Sequence, residues 1–359
     1  MTETTTSGPT IEQRTATGAM SGGRMQAIVQ SKYGTADMLA VAEIDRPVIG
    51  AGEVLVQVHA AGLDRGTWHL MAGLPYAARL MAGLRAPKNP VPGLDVAGVV
   101  VAVGSEVTRF QPGDEVFGVG KGSFAEFAAA REDKLALKPS NLTFEQAAAV
   151  PVSGMTALRG LSDVGQLQAG QKVLIVGASG GVGSFAVQIA KALGAEVTGV
   201  CSTSKLDLVR SIGADHVIDY TRDDFANGDK QYDLILDVGG NSALSRLRRA
   251  LTPHGTLVIV GGEGGGNWIG MGRQLRALAL SPFVGQRLTI LGPKEHYTVI
   301  ERLTELIEND QLVPVVEQTY PLSDMPDAMR QLVAGRARGK LVITVNPTAT
   351  TRKGPLPPD

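Results

Sequence analysis

Residues 171–205, QKVLIVGASGGVGSFAVQIAKALGAEVTGVCSTSK, constrain the fold more than any other stretch of the chain. Val173, Leu174, Ile175 and Val176 form a short apolar run, the pattern of a strand buried on both faces of a parallel sheet. Gly177 breaks it, and Gly180, Gly181 and Gly183 follow. Phe185, Ala186, Ile189, Ala190 and Leu193 then recur at helical spacing, with Gly194 as the stop. A second strand is expected over 196–200. Strand, glycine turn, helix and strand make a βαβ unit in which a diphosphate can reach the backbone N–H groups at the helix start. The first glycine of the strict dinucleotide fingerprint is replaced by Ala178, so the flanking elements carry the assignment as much as the glycines do.

The tip of the second strand sorts the nucleotide. An NAD site usually carries Asp or Glu there for the ribose 2′-hydroxyl, whereas an NADP site avoids that charge and offers donors to a phosphate. This chain reads Cys201-Ser202-Thr203-Ser204-Lys205, with three hydroxyls, one ammonium and no carboxylate. NADP(H) is the expected cofactor. A solvated lysine at a helix start is the alternative reading of Lys205.

The other elements follow from the same rules. Strands are expected over 25–30, 54–60, 96–103 and 115–119, separated by turns such as Pro112-Gly113-Asp114, which suits a compact, partly closed barrel. Residues 62–73 read as a loop and short helix carrying Asp64. After Thr143 the pattern changes to helices over 144–150 and 155–165, and beyond the βαβ unit strands are expected at 216–219, 234–238, 256–260 and 288–291. Six strands with helical or long connections suit a doubly wound parallel sheet. Helices over 296–309 and 325–333 and a strand over 340–345 close the chain. Residues 1–23 and the last stretch, 347–359, carry few large apolar side chains and are expected to be loose tails.

Composition excludes several function classes. Thirty-four Lys and Arg against 35 Asp and Glu leave a net charge of -1 with no basic block, so neither nucleic acid nor a membrane surface is an expected partner. The one cysteine, Cys201, rules out an internal disulfide and suits a reducing, cytoplasmic compartment.

Four stretches together resemble the medium-chain dehydrogenase/reductase superfamily: Gly113-Asp114-Glu115-Val116, residues 178–183, residues 213–220 (GADHVIDY) and residues 335–345 (GRARGKLVITV). The chain looks most like its zinc-free quinone oxidoreductase branch, especially the reticulon-interacting NADPH oxidoreductases. The resemblance implies a Rossmann sheet inserted into a GroES-like, partly closed β-barrel catalytic domain. The barrel would be made from 24–150 and 295–346, with the NADP-binding domain at 151–294 between them. In the zinc enzymes of the superfamily a cysteine and a His-Glu pair stand where this chain has Asp64 and Leu94-Asp95. Leucine cannot ligate zinc, and His59, His69, His216, His254 and His296 show no compact ligand spacing, so no metal is expected.

By resemblance Ser179, Gly180, Gly181, Val182 and Gly183 hold the diphosphate, and Ser202, Lys205 and Tyr220 surround the 2′-phosphate. Thr156 lies beside the nicotinamide, and Val238, Gly239, Val260 and Gly261 meet the ribose and nicotinamide. Ala337, Arg338 and Gly339 match a cofactor-contacting run in which Arg336 replaces the usual histidine. Asp64 and Tyr76 are the candidate proton donors, with helix capping and simple packing as their alternative roles. Without a metal to polarise an alkoxide, hydride delivery to an enone or quinone is the expected reaction. A zinc-free NADP-dependent alcohol dehydrogenase and a non-enzymatic NADPH-binding protein are the alternatives. The segment between Leu70 and Lys88 is expected to shape the acceptor pocket. The 288–291 strand is expected at a sheet edge, where a second copy of the chain would cover it and form a homodimer.

Overall fold

The computed structural model describes residues 23–227, 230–239, 242–261, 271–292 and 295–345. Both tails, apart from Gly23, therefore lie outside the described residues. Strands β1 (Arg24–Gln30) and β2 (Leu39–Asp45) pair as an antiparallel ribbon. The first large sheet is built on β3 (Glu53–Leu63), whose inner side chains alternate with outer ones until Ala60, after which all are buried. It pairs with β4 (Asp95–Val103), which continues through β5 (Glu115–Val119) to β7 (Leu135–Leu137), while β6 (Phe127–Arg131) also lies on β3.

The second sheet is parallel throughout. It contains β8 (Lys172–Val176), β9 (Glu196–Cys201), β10 (His216–Asp219), β11 (Tyr232–Asp237), β12 (Leu251–Ile259) and β13 (Arg287–Ile290), in the order β10-β9-β8-β11-β12-β13. The order reverses between β8 and β11, and at that switch point the carboxyl ends of the strands splay to leave a crevice. Val173, Leu174 and Ile175 are fully buried, with the core running on to both faces of the sheet.

The chain then returns to the first sheet. β14 (Val316–Pro321) runs parallel to β15 (Lys340–Thr344), and β15 pairs antiparallel with β3, Leu341 opposite Leu63. The fold is therefore α/β, a doubly wound parallel sheet inserted into a GroES-like sheet.

Some elements differ from the sequence expectation. The helix expected over 155–165 starts earlier, at Pro151, and runs as Pro151–Leu158 before continuing in wider turns to Val164. Pro151 is its first residue, where a missing N–H costs nothing. Strands β2, β6, β7 and β14 carry no strong sequence signal. β6 is three alanines between Phe127 and Arg131, β7 is three residues long, and β14 is largely exposed.

Candidate active site

The floor of the site is the glycine turn. β8 ends at Val176, and the helix Gly181–Ala192 begins after Gly180, which has extended backbone and no side chain to cap the first N–H groups. Phe185, Ala186, Ile189 and Ala190 bury one face of this helix in the core, which fixes its axis against the sheet. Its uncapped start opens into a cleft of ≈ 620 Å³ lined by Gly177, Ser179, Gly180, Gly181 and Val182. Such a terminus attracts an anion through its free donors and its dipole. Gly183 does not line the cleft. It faces the strand, with the Gly177 carbonyl and Ala178 where a side chain would be.

One end of the cleft is the tip of β9. Cys201, Ser202, Lys205 and Tyr220 line it. Burial pushes the Cys201 thiol up to about 11, so it stays protonated and unreactive at neutral pH. Lys205 Nζ donates to the Gly335 and Ala337 carbonyls at 3.1 and 2.7 Å, tying this rim to the C-terminal segment. Burial lowers its pKa, opposed by the nearby Glu317 carboxylate. A carboxylate, Asp219, does stand nearby, at the end of the adjoining β10. That carboxylate accepts from Thr203 Oγ1 at 2.5 Å, Thr221 Oγ1 at 2.7 Å and the Thr221 amide at 3.0 Å. These bonds hold its pKa below the ordinary carboxylate value. It is turned into the strand ends and is not part of the cleft lining.

The middle of the cleft lies at the switch point, where Val238, Gly239, Val260 and Gly261 follow the ends of β11 and β12. Arg273 braces them from below. It pairs with the buried Asp237 and donates to the Gly261 carbonyl at 2.9 Å and the Ser242 carbonyl at 3.1 Å. Thr156 also lines the cleft, with its hydroxyl donating to the Val152 carbonyl one turn back at 2.6 Å.

The first sheet supplies the facing wall. Asp64 follows β3, lines the cleft and caps the helix Arg65–Ala72, accepting from the Thr67 amide at 2.8 Å and the Thr67 hydroxyl at 3.2 Å. Asp64→Ala is expected to cost about 1 kcal/mol, with Asp64→Asn restoring most of it. Urea unfolding of the two variants measures this, and an equal loss in both would refute the capping role. Tyr76 is not brought to the cleft. It is exposed, with its ring 4.7 Å from the Arg79 guanidinium carbon. Arg338 is exposed and outside the lining too, while its backbone amide donates to Glu317 at 2.8 Å. Its neighbours Ala337 and Gly339 do line the wall, and the Gly339 amide donates to the Ser179 carbonyl at 2.9 Å.

The strongest polar feature of this wall was not anticipated. Lys340 Nζ lies 3.0 Å from Asp95 Oδ2 and 3.2 Å from Ser153 Oγ, and Asp95 Oδ1 accepts the Val152 amide at 2.8 Å. Burial pushes the Asp95 carboxyl up to about 7, although Lys340 pulls it down. A signal existed: Asp95 and Lys340 each open an otherwise apolar strand, and a charge at such a position is normally kept only with a partner. Among the described residues no three His, Cys, Asp or Glu side chains are gathered where they could share a metal ion.

Comparison with known proteins agrees with this architecture. The Alcohol dehydrogenase GroES-like domain family matches residues 50–140, and the Zinc-binding dehydrogenase family matches residues 212–343. The mitochondrial NAD(P)H oxidoreductase RTN4IP1 of Mus musculus is 35% identical, the match covering 89% of each chain. The chloroplastic NADPH-dependent alkenal/one oxidoreductase of Arabidopsis thaliana is 34% identical, with 89% of this chain and 79% of that protein covered. The quinone oxidoreductase of Coxiella burnetii superposes with a TM-score of 0.80 at 26% identity, over 90% of this chain and 100% of that one. With a switch-point cleft walled by a GroES-like sheet and relatives matched over most of their length, the chain belongs to the medium-chain dehydrogenase/reductase superfamily, in the branch that holds the quinone and enone oxidoreductases.

Proposed function

We propose that the protein is an NADPH-dependent reductase that delivers a hydride to the activated double bond of an enone or to a quinone. The observation that carries the reading is the state of the two carboxylates opposite the glycine turn. Asp64 is spent on a helix cap and Asp95 on Lys340, while Leu94 has no ligating atom. These positions therefore do not compose the Cys/His ligand set of a catalytic zinc. A carbonyl-conjugated acceptor needs only hydride, orientation and a donor to the developing enolate.

The residues present suit the cofactor. The uncapped helix start, with no side chain on Gly180 or Gly181, accommodates a diphosphate, and Ser202, Lys205 and Tyr220 offer donors to a 2′-phosphate without a competing acid. When bound, NADPH supplies the hydride. Val238, Gly239, Val260, Gly261 and Thr156 shape the ribose and nicotinamide end, while Ala337 and Gly339 lie beside Lys205 and Ser179 at the phosphate end; Gly183 acts by holding the turn. Asp64 and Tyr76 remain the proposed acids only through water or a rearranged loop, and Arg338 only by turning inward.

The test is stopped-flow oxidation of NADPH and of NADH with a panel of quinones and enones. Turnover with at least one acceptor and a preference for NADPH are expected. Tight NADPH binding with no turnover would favour the non-enzymatic alternative, and alcohol oxidation outpacing reduction would favour the dehydrogenase. We place the domain boundaries near residues 150 and 295, and a reducing, cytoplasmic location is supported by the single cysteine. A homodimer is supported by β13 at the sheet edge, flanked by exposed Leu275, Leu278 and Phe283. Elution from a sizing column at twice the chain mass is the expected result, and a stable monomer would refute it.

A further inference from the structure

The segment that follows the helix Arg65–Ala72 presents its large apolar side chains to solvent. Leu80, Met81 and Leu84 are 74, 83 and 68% exposed. This is not a loose loop whose side chains happen to point outward. Arg79 is drawn inward, its guanidinium carbon 4.4 Å from the Tyr33 ring centroid and 4.7 Å from that of Tyr76, with Nε donating to the Gly73 carbonyl at 2.8 Å. The Tyr33 hydroxyl donates to the Gly83 carbonyl at 2.6 Å, the Gly83 amide to the Arg79 carbonyl at 2.8 Å, and the Lys88 amide to the Ala82 carbonyl at 2.7 Å. The base of the segment is braced, and the bracing holds three apolar side chains in water. Such an ordered apolar projection marks a surface that is covered in use.

Charge identifies what covers it. From residue 65 to residue 94 the chain carries Arg65, Arg79, Arg85 and Lys88 and not one Asp or Glu, although the whole protein has a net charge of -1. Arg85 and Lys88 are exposed beside the apolar trio. A protein partner of ordinary composition has no need of such one-sided charge. A lipid surface with anionic headgroups matches both features, since apolar side chains enter the headgroup boundary while flanking cations meet the phosphates. The near-neutral whole-chain charge conceals this local polarity. No helix among the described residues is long and apolar enough to cross a membrane, so the contact is peripheral.

We propose that residues 79–88 form a lip that docks the protein reversibly on an anionic bilayer, with Leu80, Met81 and Leu84 inserted and Arg85 and Lys88 at the phosphates. The proposal stands apart from the reaction assigned above, because it is tested by binding alone. The full chain is floated with vesicles of phosphatidylglycerol and phosphatidylcholine in equal parts, and with vesicles of phosphatidylcholine only. Association with the anionic vesicles and weak association with the neutral ones are expected. The triple variant Leu80→Ser, Met81→Ser, Leu84→Ser should lose binding by about tenfold or more, while unfolding at the parent's temperature because it changes only exposed side chains. Arg85→Gln with Lys88→Gln should abolish the difference between the two vesicle types. Failure of the parent to float, or flotation of the triple variant at the parent's level, overturns the proposal. So does self-association in the ultracentrifuge that the triple variant removes, which would assign the patch to a second copy.

Discussion

Lys340→Met is expected to lower folding stability by about 3–5 kcal/mol at mildly alkaline pH, where the buried Asp95 is charged in the parent and, without its partner, must stay unpaired or take up a proton. Lys340 is 2% exposed and Asp95 fully buried, and the pair joins three separate stretches of chain through β15, β4 and the Pro151–Leu158 helix. The loss should depend on pH in a defined direction. The Asp95 carboxyl is raised from 3.8 to about 7 on folding, so the folded state holds this proton more tightly than the unfolded chain does. The stabilisation from that proton is therefore full below the unfolded value and is lost as pH rises through about 7, with a ceiling of about 4 kcal/mol. Removing Lys340 removes the charge that pulls this pKa down, so Asp95 stays neutral to higher pH. A neutral Asp95 has less need of an ammonium. The gap between parent and variant should thus be wide at about pH 8 and narrow at about pH 5. Urea unfolding at both values measures it. Adding Asp95→Asn to Lys340→Met should recover part of the loss at the higher pH. An equal gap at the two pH values, or no recovery in the double variant, would show that the ion pair does not carry the stability.

The contrast between that pair and the glycine turn shows which kinds of information lie on the surface of a sequence. The βαβ unit was legible because a strand covered on both faces must be continuously apolar, and because the turn, the helix and the rim at Ser202 and Lys205 are neighbours along the chain. The first sheet was less so. β6 hides in Ala128, Ala129 and Ala130, which carry no alternation, and β14 is so exposed that its side chains hardly report the sheet. The facing wall of the cleft was harder still. Asp95, Ser153 and Lys340 are separated by long stretches of sequence and meet only because β15 and β4 flank β3 on opposite sides. Tyr76 shows the converse. Its place in a segment expected to shape the acceptor pocket suggested chemistry, yet none of residues 70–88 lines the cleft, and the Tyr76 ring lies beside the Arg79 guanidinium instead. Asp219 shows a further limit. The strand-tip rule examines β9, whereas this carboxylate sits on the adjoining strand, and only its threonine partners reveal that it is turned away from the cleft.

The two glycines of the turn should separate folding from binding. A Cβ on Gly183 would press into the Gly177 carbonyl oxygen and lie 2.7 Å from Ala178 Cα and 2.8 Å from the Ala178 carbonyl carbon. All three are backbone atoms of the turn itself, so no side chain can rotate away, and the helix must lift from the strand. Gly183→Ala should therefore lower stability by about 1–3 kcal/mol and weaken NADPH binding together with it, since the donors at the helix start move with the helix. Gly180 is different. Its backbone is extended, with φ of -85°, and an added Cβ would find only the Gly177 carbonyl oxygen, at an ordinary 3.6 Å. Gly180→Ala should leave stability within about 0.5 kcal/mol of the parent, because the new methyl strains nothing. That methyl stands instead in the cleft where the diphosphate is to approach the backbone, so NADPH affinity should fall by about tenfold or more. Calorimetric titration with NADPH, beside urea unfolding of both variants, gives the four quantities needed. Unchanged affinity in Gly180→Ala would remove the diphosphate from this turn, and undiminished stability in Gly183→Ala would mean that helix and strand can part at no cost.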